Sequence, residues 1–68
     1  MYVIFSKKGT AANDGEPMFW SNENGWVDFY NATTFTSEET EGLSVLGDGE
    51  WITCRHARRL ANIWEWNN

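Results

Sequence analysis

Sixty-eight residues with a formal net charge of −5 make one domain at most, and a chain so short buries only about 60% of the surface that its unfolded form exposes. The single cysteine, Cys54, excludes an internal disulfide, and with His56 as the only histidine the spaced ligand pairs of a structural zinc site are missing too. Ring packing is left to hold the fold: five tryptophans, four phenylalanines and two tyrosines, each able to bury roughly 150–250 Å².

In chain order, Tyr2 to Ser6 is β-branched and aromatic and predicts a strand. Residues 7–17, rich in Gly, Asn and Asp and closed by Pro17, predict a loop turning at Asp14-Gly15. Met18 to Ser21 predicts a second strand, antiparallel to the first, and Asn22 to Gly25 a turn in which Asn24 or Gly25 takes a positive φ. Trp26 to Phe29 reads either as a short strand or as an irregular edge. Thr36 with Glu39 three residues on is a capping box, so a helix of about two turns starts there and ends at Gly42. Leu46 to Glu50 predicts a further glycine turn, and Trp51 to Cys54 a third strand. Ala57, Leu60, Ala61 and Trp64 then recur at helical steps, with Arg55, Arg58, Arg59 and Asn62 on the other side; the last four residues are expected to fray. Trp20 and Trp26 flank the Asn22–Gly25 turn and are expected to fold back on one another. With Phe35 they read as structural, so that Trp26→Ala is expected to unfold the domain. The expectation is a single α+β domain over residues 1–68, with a small antiparallel sheet of about three strands, a short helix and a C-terminal helix. The alternative continues the C-terminal segment as strand.

Charge is the least ordinary feature. No lysine or arginine occurs from Gly9 to Cys54, a run of forty-six residues holding Asp14, Glu16, Glu23, Asp28, Glu38, Glu39, Glu41, Asp48 and Glu50. The bases stand outside it, at Lys7, Lys8, Arg55, Arg58 and Arg59. Local preferences account for several acids: Glu38 and Glu39 suit a helix N-terminus, and Asp14 and Asp48 suit turns. They do not account for the missing bases, because self-repulsion among uncompensated carboxylates destabilises a small domain. A partner with a positive, phosphate-binding groove does, with carboxylates standing in for a nucleic-acid backbone; the alternative is that the acids serve plain solubility. The candidate contact residues are Glu38, Glu39, Glu41, Asp48 and Glu50, with Asp14, Glu16 and Glu23 in loops behind them.

The equipment for catalysis is thin. His56 sits among arginines rather than beside a carboxylate, and a Cys54–His56 pair requires both to share one side of a strand. The acidic turns do not continue the twelve-residue alternation of oxygen ligands in an EF-hand loop. The expectation is a non-enzymatic protein with no cofactor and no metal. Arg55 to Arg59 with Trp64 and Trp66 supports an alternative, a small nucleic-acid-binding or adaptor module, although the net charge opposes a long-range positive field. The initial apolar run of five residues, with its lysines after it, does not match a secretory leader. A lone cysteine suits a reducing compartment, and a cytoplasmic protein is expected.

Three short motifs add a resemblance. Phe19-Trp20-Ser21-Asn22, Gly25-Trp26-Val27-Asp28 and Ala32-Thr33-Thr34-Phe35-Thr36-Ser37-Glu38-Glu39 together resemble the aromatic-Trp-Ser-Asn, Gly-Trp-Val-Asp and Ala-Thr-x-Phe-Thr-x-Glu-Glu pattern of small acidic proteins from bacteriophages, prophages and other mobile elements. The match covers under a third of the chain, and the segment from Arg55 to Trp66 departs from the pattern. Such proteins include anti-CRISPR inhibitors and DNA mimics. The resemblance therefore implies a monomeric inhibitor in the host bacterial cell, occupying a DNA-binding groove of a defence complex such as a CRISPR effector, without itself binding nucleic acid or membrane.

Overall fold

In the computed structural model, which describes residues 1–45 and 47–68, the β-prone segment Tyr2–Ser6 forms strand β1 in the interior of a sheet. β2 (Met18–Ser21) runs antiparallel to it with Phe5 opposite Phe19, and β3 (Gly25–Val27) pairs with β2 through Trp20 opposite Trp26. β4 (Glu50–Thr53) lies on the other side of β1, antiparallel, with Val3 opposite Ile52. The fold is α+β, and its sheet has four strands in the order β3-β2-β1-β4 rather than about three. The segment Trp26 to Phe29 divides: Trp26 and Val27 are strand, and Phe29–Asn31 is a 3-10 turn.

The period of two in a strand sorts the sheet into two faces. Val3, Phe5, Phe19, Val27 and Ile52 share one face, where Phe19, Val3 and Ala57 are fully buried and Phe29 and Ala32 pack against them. Tyr2, Ile4, Met18, Trp20, Trp26 and Trp51 share the other. The first face is covered by α3 (Cys54–Asn67), which follows β4 without a loop: Thr53 ends the strand and caps the helix, accepting from the His56 amide at 3.1 Å. The expected stripe is the buried one, with Ala57 and Ala61 buried, Leu60 and Trp64 half-buried, and the arginines outside. Cys54 is the first residue of this helix, not the last of a strand. Through the last residues, expected to fray, α3 runs to Asn67, and Asn67 and Asn68 donate their side-chain amides to the Ile63 and Trp64 carbonyls, each at 2.9 Å.

Two shorter helices complete the chain. α2 (Ser37–Gly42) has both halves of its capping box, Glu39 N–H to Thr36 Oγ1 at 3.2 Å and Thr36 N–H to Glu39 Oε1 at 2.9 Å. Just before it, Tyr2 and Phe35 exchange backbone bonds of 2.8 Å, and Thr33 N–H donates to the Trp20 carbonyl at 3.0 Å, so this segment enters between the parting ends of β1 and β2. α1 (Lys7–Ala12) stands where a loop is expected. Ser6 is its N-cap, accepting from Gly9 N–H at 2.9 Å, and support comes from far along the chain: Asp48 accepts from the Lys8 amide and the Ser6 hydroxyl, each at 2.8 Å. A Cβ on Gly9 would lie 3.0 Å from that hydroxyl, so glycine belongs to the cap. The turns behave as expected where they are described, with Asp14 and Gly15 at φ 56° and 89° and Gly25 at 79°. Of the turn expected from Leu46 to Glu50, Leu46 lies outside the described residues. Among the described residues, no helix is long and apolar enough to cross a membrane.

Candidate functional site

Among the described residues, no helix is laid across the face of the sheet turned away from α3. Trp20 and Trp26, paired across β2 and β3, pack edge to face with centroids 5.3 Å apart and rings inclined at 73°. Phe35 stands on the same face, edge to face with Trp51 at 5.1 Å. Among the described residues, Ile4, Trp20, Asn22, Trp26, Phe35, Leu43 and Ser44 line one open groove of about 270 Å³. The Trp20 indole N–H donates to Asn22 Oδ1 at 2.9 Å, which fixes that ring and satisfies its only polar atom. The groove therefore offers π surface and aliphatic carbon. Both tryptophans are half-buried, so each can pack structurally and still present part of its ring to the groove.

The predicted acidic residues do not form one surface. Glu38, Glu39 and Glu41 are exposed together on α2, which leads directly into the groove residues Leu43 and Ser44. Glu39 is occupied by its capping box. Glu23 is exposed in the β2–β3 turn, next in sequence to the groove residue Asn22. Asp48 is a helix cap, and the Lys8 amide, then the Ser6 hydroxyl, hold its carboxyl below the ordinary aspartate value. Glu50 stands 4.0 Å from Lys7 across an exposed pair, an arrangement worth little in stability. The run without bases is thus interrupted in space, because the β1–β4 pairing brings Lys7 and Lys8 beside Asp48 and Glu50. Asp14 is exposed in the α1–β2 turn, and Glu16 there accepts from Asn13 Nδ2 at 3.1 Å.

A second cluster was not legible in the sequence. Glu16, Asp28, Tyr30 and Glu65 border a cleft of about 30 Å³ with Trp64, whose indole N–H is buried without a partner. Partial desolvation and the Glu65 carboxylate raise the Tyr30 hydroxyl above its usual value. The cluster joins three separate segments, and no local pattern announces it.

α3 carries its charges against its own dipole. Arg55, His56, Arg58 and Arg59 crowd the N-terminal half, where carboxylates are favoured, and Glu65 sits in the last turn, where bases are. Arg55, His56, Arg59 and Thr53 border a shallow depression, and Lys7–Glu50 is the only ion pair within 4.0 Å among the described residues. Trp66, 90% exposed, extends the same side of the helix. Cys54 and His56, two positions apart on a helix, point about 200° apart and cannot act as the pair that a shared strand face would make. No family model matches the chain, and neither does any curated protein or solved structure with which it was compared.

Proposed function

We propose that this chain is a non-catalytic inhibitor that docks on a basic, nucleic-acid-binding groove of another protein. It does so through the aromatic groove and the carboxylates at its margin. The observation that carries this reading is the continuity of the two features. Except for Ile4, every described residue lining the groove falls within the run that lacks lysine and arginine, and α2 with its exposed Glu38 and Glu41 opens straight into the groove wall. An apolar centre with a charged rim is the anatomy of a protein interface, and tryptophans are its commonest anchors. The phage-like motifs add the direction of the proposal, a defence complex of the CRISPR effector kind in the cytoplasm of a bacterial host.

Reversal of Glu23, Glu38 and Glu41 to lysine tests it. Glu39 and Asp48 are left alone because both cap helices. The triple variant is expected to keep the wild-type circular dichroism and melting curve, and to lose a DNA-binding protein that wild type retains from a lysate with active defence systems. The same retained proteins from both forms would refute the acidic contact.

One observation favours a second reading. The unpaired arginines and exposed Trp66 on α3 form a basic, aromatic strip suited to single-stranded nucleic acid. A gel shift with single-stranded DNA at low salt, abolished by Arg55→Glu with Arg59→Glu, would favour this strip over the acidic surface.

A further inference from the structure

We infer that the aromatic groove is a receptor for an arginine side chain of the partner, held by cation–π contact with Trp20 and Trp26. This rests on the proposed function in one respect, that the partner is basic, and it names the group that enters. At about 270 Å³ the groove is smaller than the roughly 300–1,000 Å³ typical of sites for drug-sized ligands, and it suits a side chain. Its described walls hold three aromatic rings, two aliphatic residues, Asn22 and Ser44, and neither acid nor base. With the Trp20 N–H already donated to Asn22, that ring can offer an incoming group only its π surface. π surface attracts cations, and tryptophan does so best.

The charge around the groove selects among apolar and cationic occupants. The wall segments contain no base to repel a cation, and Glu23 and Glu41 stand one and two residues from Asn22 and Leu43 in the chain. A neutral aliphatic side chain would gain nothing from these carboxylates. Guanidinium fits better than ammonium because the groove holds no carboxylate to replace the water that an ammonium loses. Guanidinium is planar, stacks on rings and is more weakly hydrated. Its peripheral N–H groups can donate to the Ser44 hydroxyl and to the free lone pair of Asn22 Oδ1.

The test uses the intact protein and two peptides, acetyl-Gly-Gly-Arg-Gly-Gly-amide and the same peptide with citrulline, an uncharged isostere. The indole N–H resonances of Trp20 and Trp26 are followed by ¹H–¹⁵N correlation spectroscopy. The arginine peptide is expected to shift these two indoles saturably and the Trp66 indole hardly at all. The citrulline peptide is expected to bind about two- to fivefold more weakly, the scale of an exposed cation–π contact. Glu23→Gln with Glu41→Gln should weaken the arginine peptide and leave the citrulline peptide unchanged. Equal affinity for the two peptides, or no shift of Trp20 and Trp26 with either, overturns the inference. These outcomes are separate from those of the lysine reversal. Loss of partner capture with equal peptide affinities leaves the inhibitor reading standing and removes the arginine. Selective arginine binding with unchanged capture does the opposite.

Discussion

Phe19 and Trp26 show how differently two aromatics of one hairpin contribute. Phe19 is fully buried, with Phe5 at 5.5 Å and Phe29 at 5.7 Å between ring centroids, whereas Trp26 leaves part of its ring to solvent. Truncating a buried phenylalanine costs about 3–5 kcal/mol, comparable with the whole stability of a domain this size, roughly 3–10 kcal/mol. Phe19→Ala is therefore expected to be largely unfolded at 25 °C. Trp26→Ala is expected to keep a cooperative urea transition at a lower midpoint. The partly open ring makes this a milder expectation than the full unfolding read from the sequence alone. The place of Trp26 in a hairpin was legible in the sequence, but the face it takes was not, because alternation separates Phe19 from Trp20 without saying which face α3 covers.

Asp48 adds a pH dependence at the same scale. Its folded carboxyl is held below the ordinary aspartate value of 3.8 by the Lys8 amide and the Ser6 hydroxyl. A depressed folded value gives stability that is present above the unfolded value and lost as pH falls through the folded one. Asp48→Asn is accordingly expected to melt lower than wild type at pH 7, with the gap narrowing below about pH 3.8. Melting temperatures of both proteins from pH 7 to pH 2 measure this, and a constant gap would remove Asp48 from its capping role.

Among the elements, the legible ones were those whose signals are local. The α2 capping box, the Asp14-Gly15 turn and the α3 stripe each depend on residues within a few positions of one another, and the structure has all three. α1 has a local N-cap in Ser6, but Gly9 and the Asn13-Asp14-Gly15 turn made its six residues read as loop, and the Asp48 carboxylate that supports the cap lies 40 residues from the Lys8 amide. The same contact engages the Asp48 carboxylate, and the β1–β4 pairing placed Glu50 beside Lys7. The exposure of Glu38 and Glu41 on α2 was readable, and these long-range contacts of Asp48 and Glu50 were not. The reversed charges of α3 supply a prediction for this scale. Arg55→Glu places a carboxylate in the first helical turn and is expected to raise stability by about 0.3–1 kcal/mol, measured by urea denaturation at low ionic strength. An unchanged or lower midpoint would mean that the arginine already has a favourable partner in the folded protein.

As a whole, the molecule measures 35 × 22 × 18 Å, and a DNA duplex 35 Å long carries about 20 phosphate charges. A net charge of −5 is about a quarter of that. The proposed mimicry is therefore local, a few carboxylates on α2 and the Glu23 turn imitating a short stretch of backbone, with the aromatic groove supplying attraction that salt does not screen. Affinity for the partner is expected to fall between low and physiological salt, as exposed charges are screened beyond about 8–10 Å, and then to level off. A fall continuing steeply to high salt would leave the groove without a part.

The central claim is that this protein and nucleic acid compete for one groove. Displacement of fluorescently labelled DNA from the captured partner, followed by anisotropy as unlabelled protein is added, measures that competition directly. Wild type is expected to displace the DNA completely, with a half-displacing concentration that rises linearly with DNA concentration, and the Glu23, Glu38 and Glu41 reversal variant to displace none. A ternary complex, in which the partner holds both this protein and DNA at full anisotropy, would contradict it.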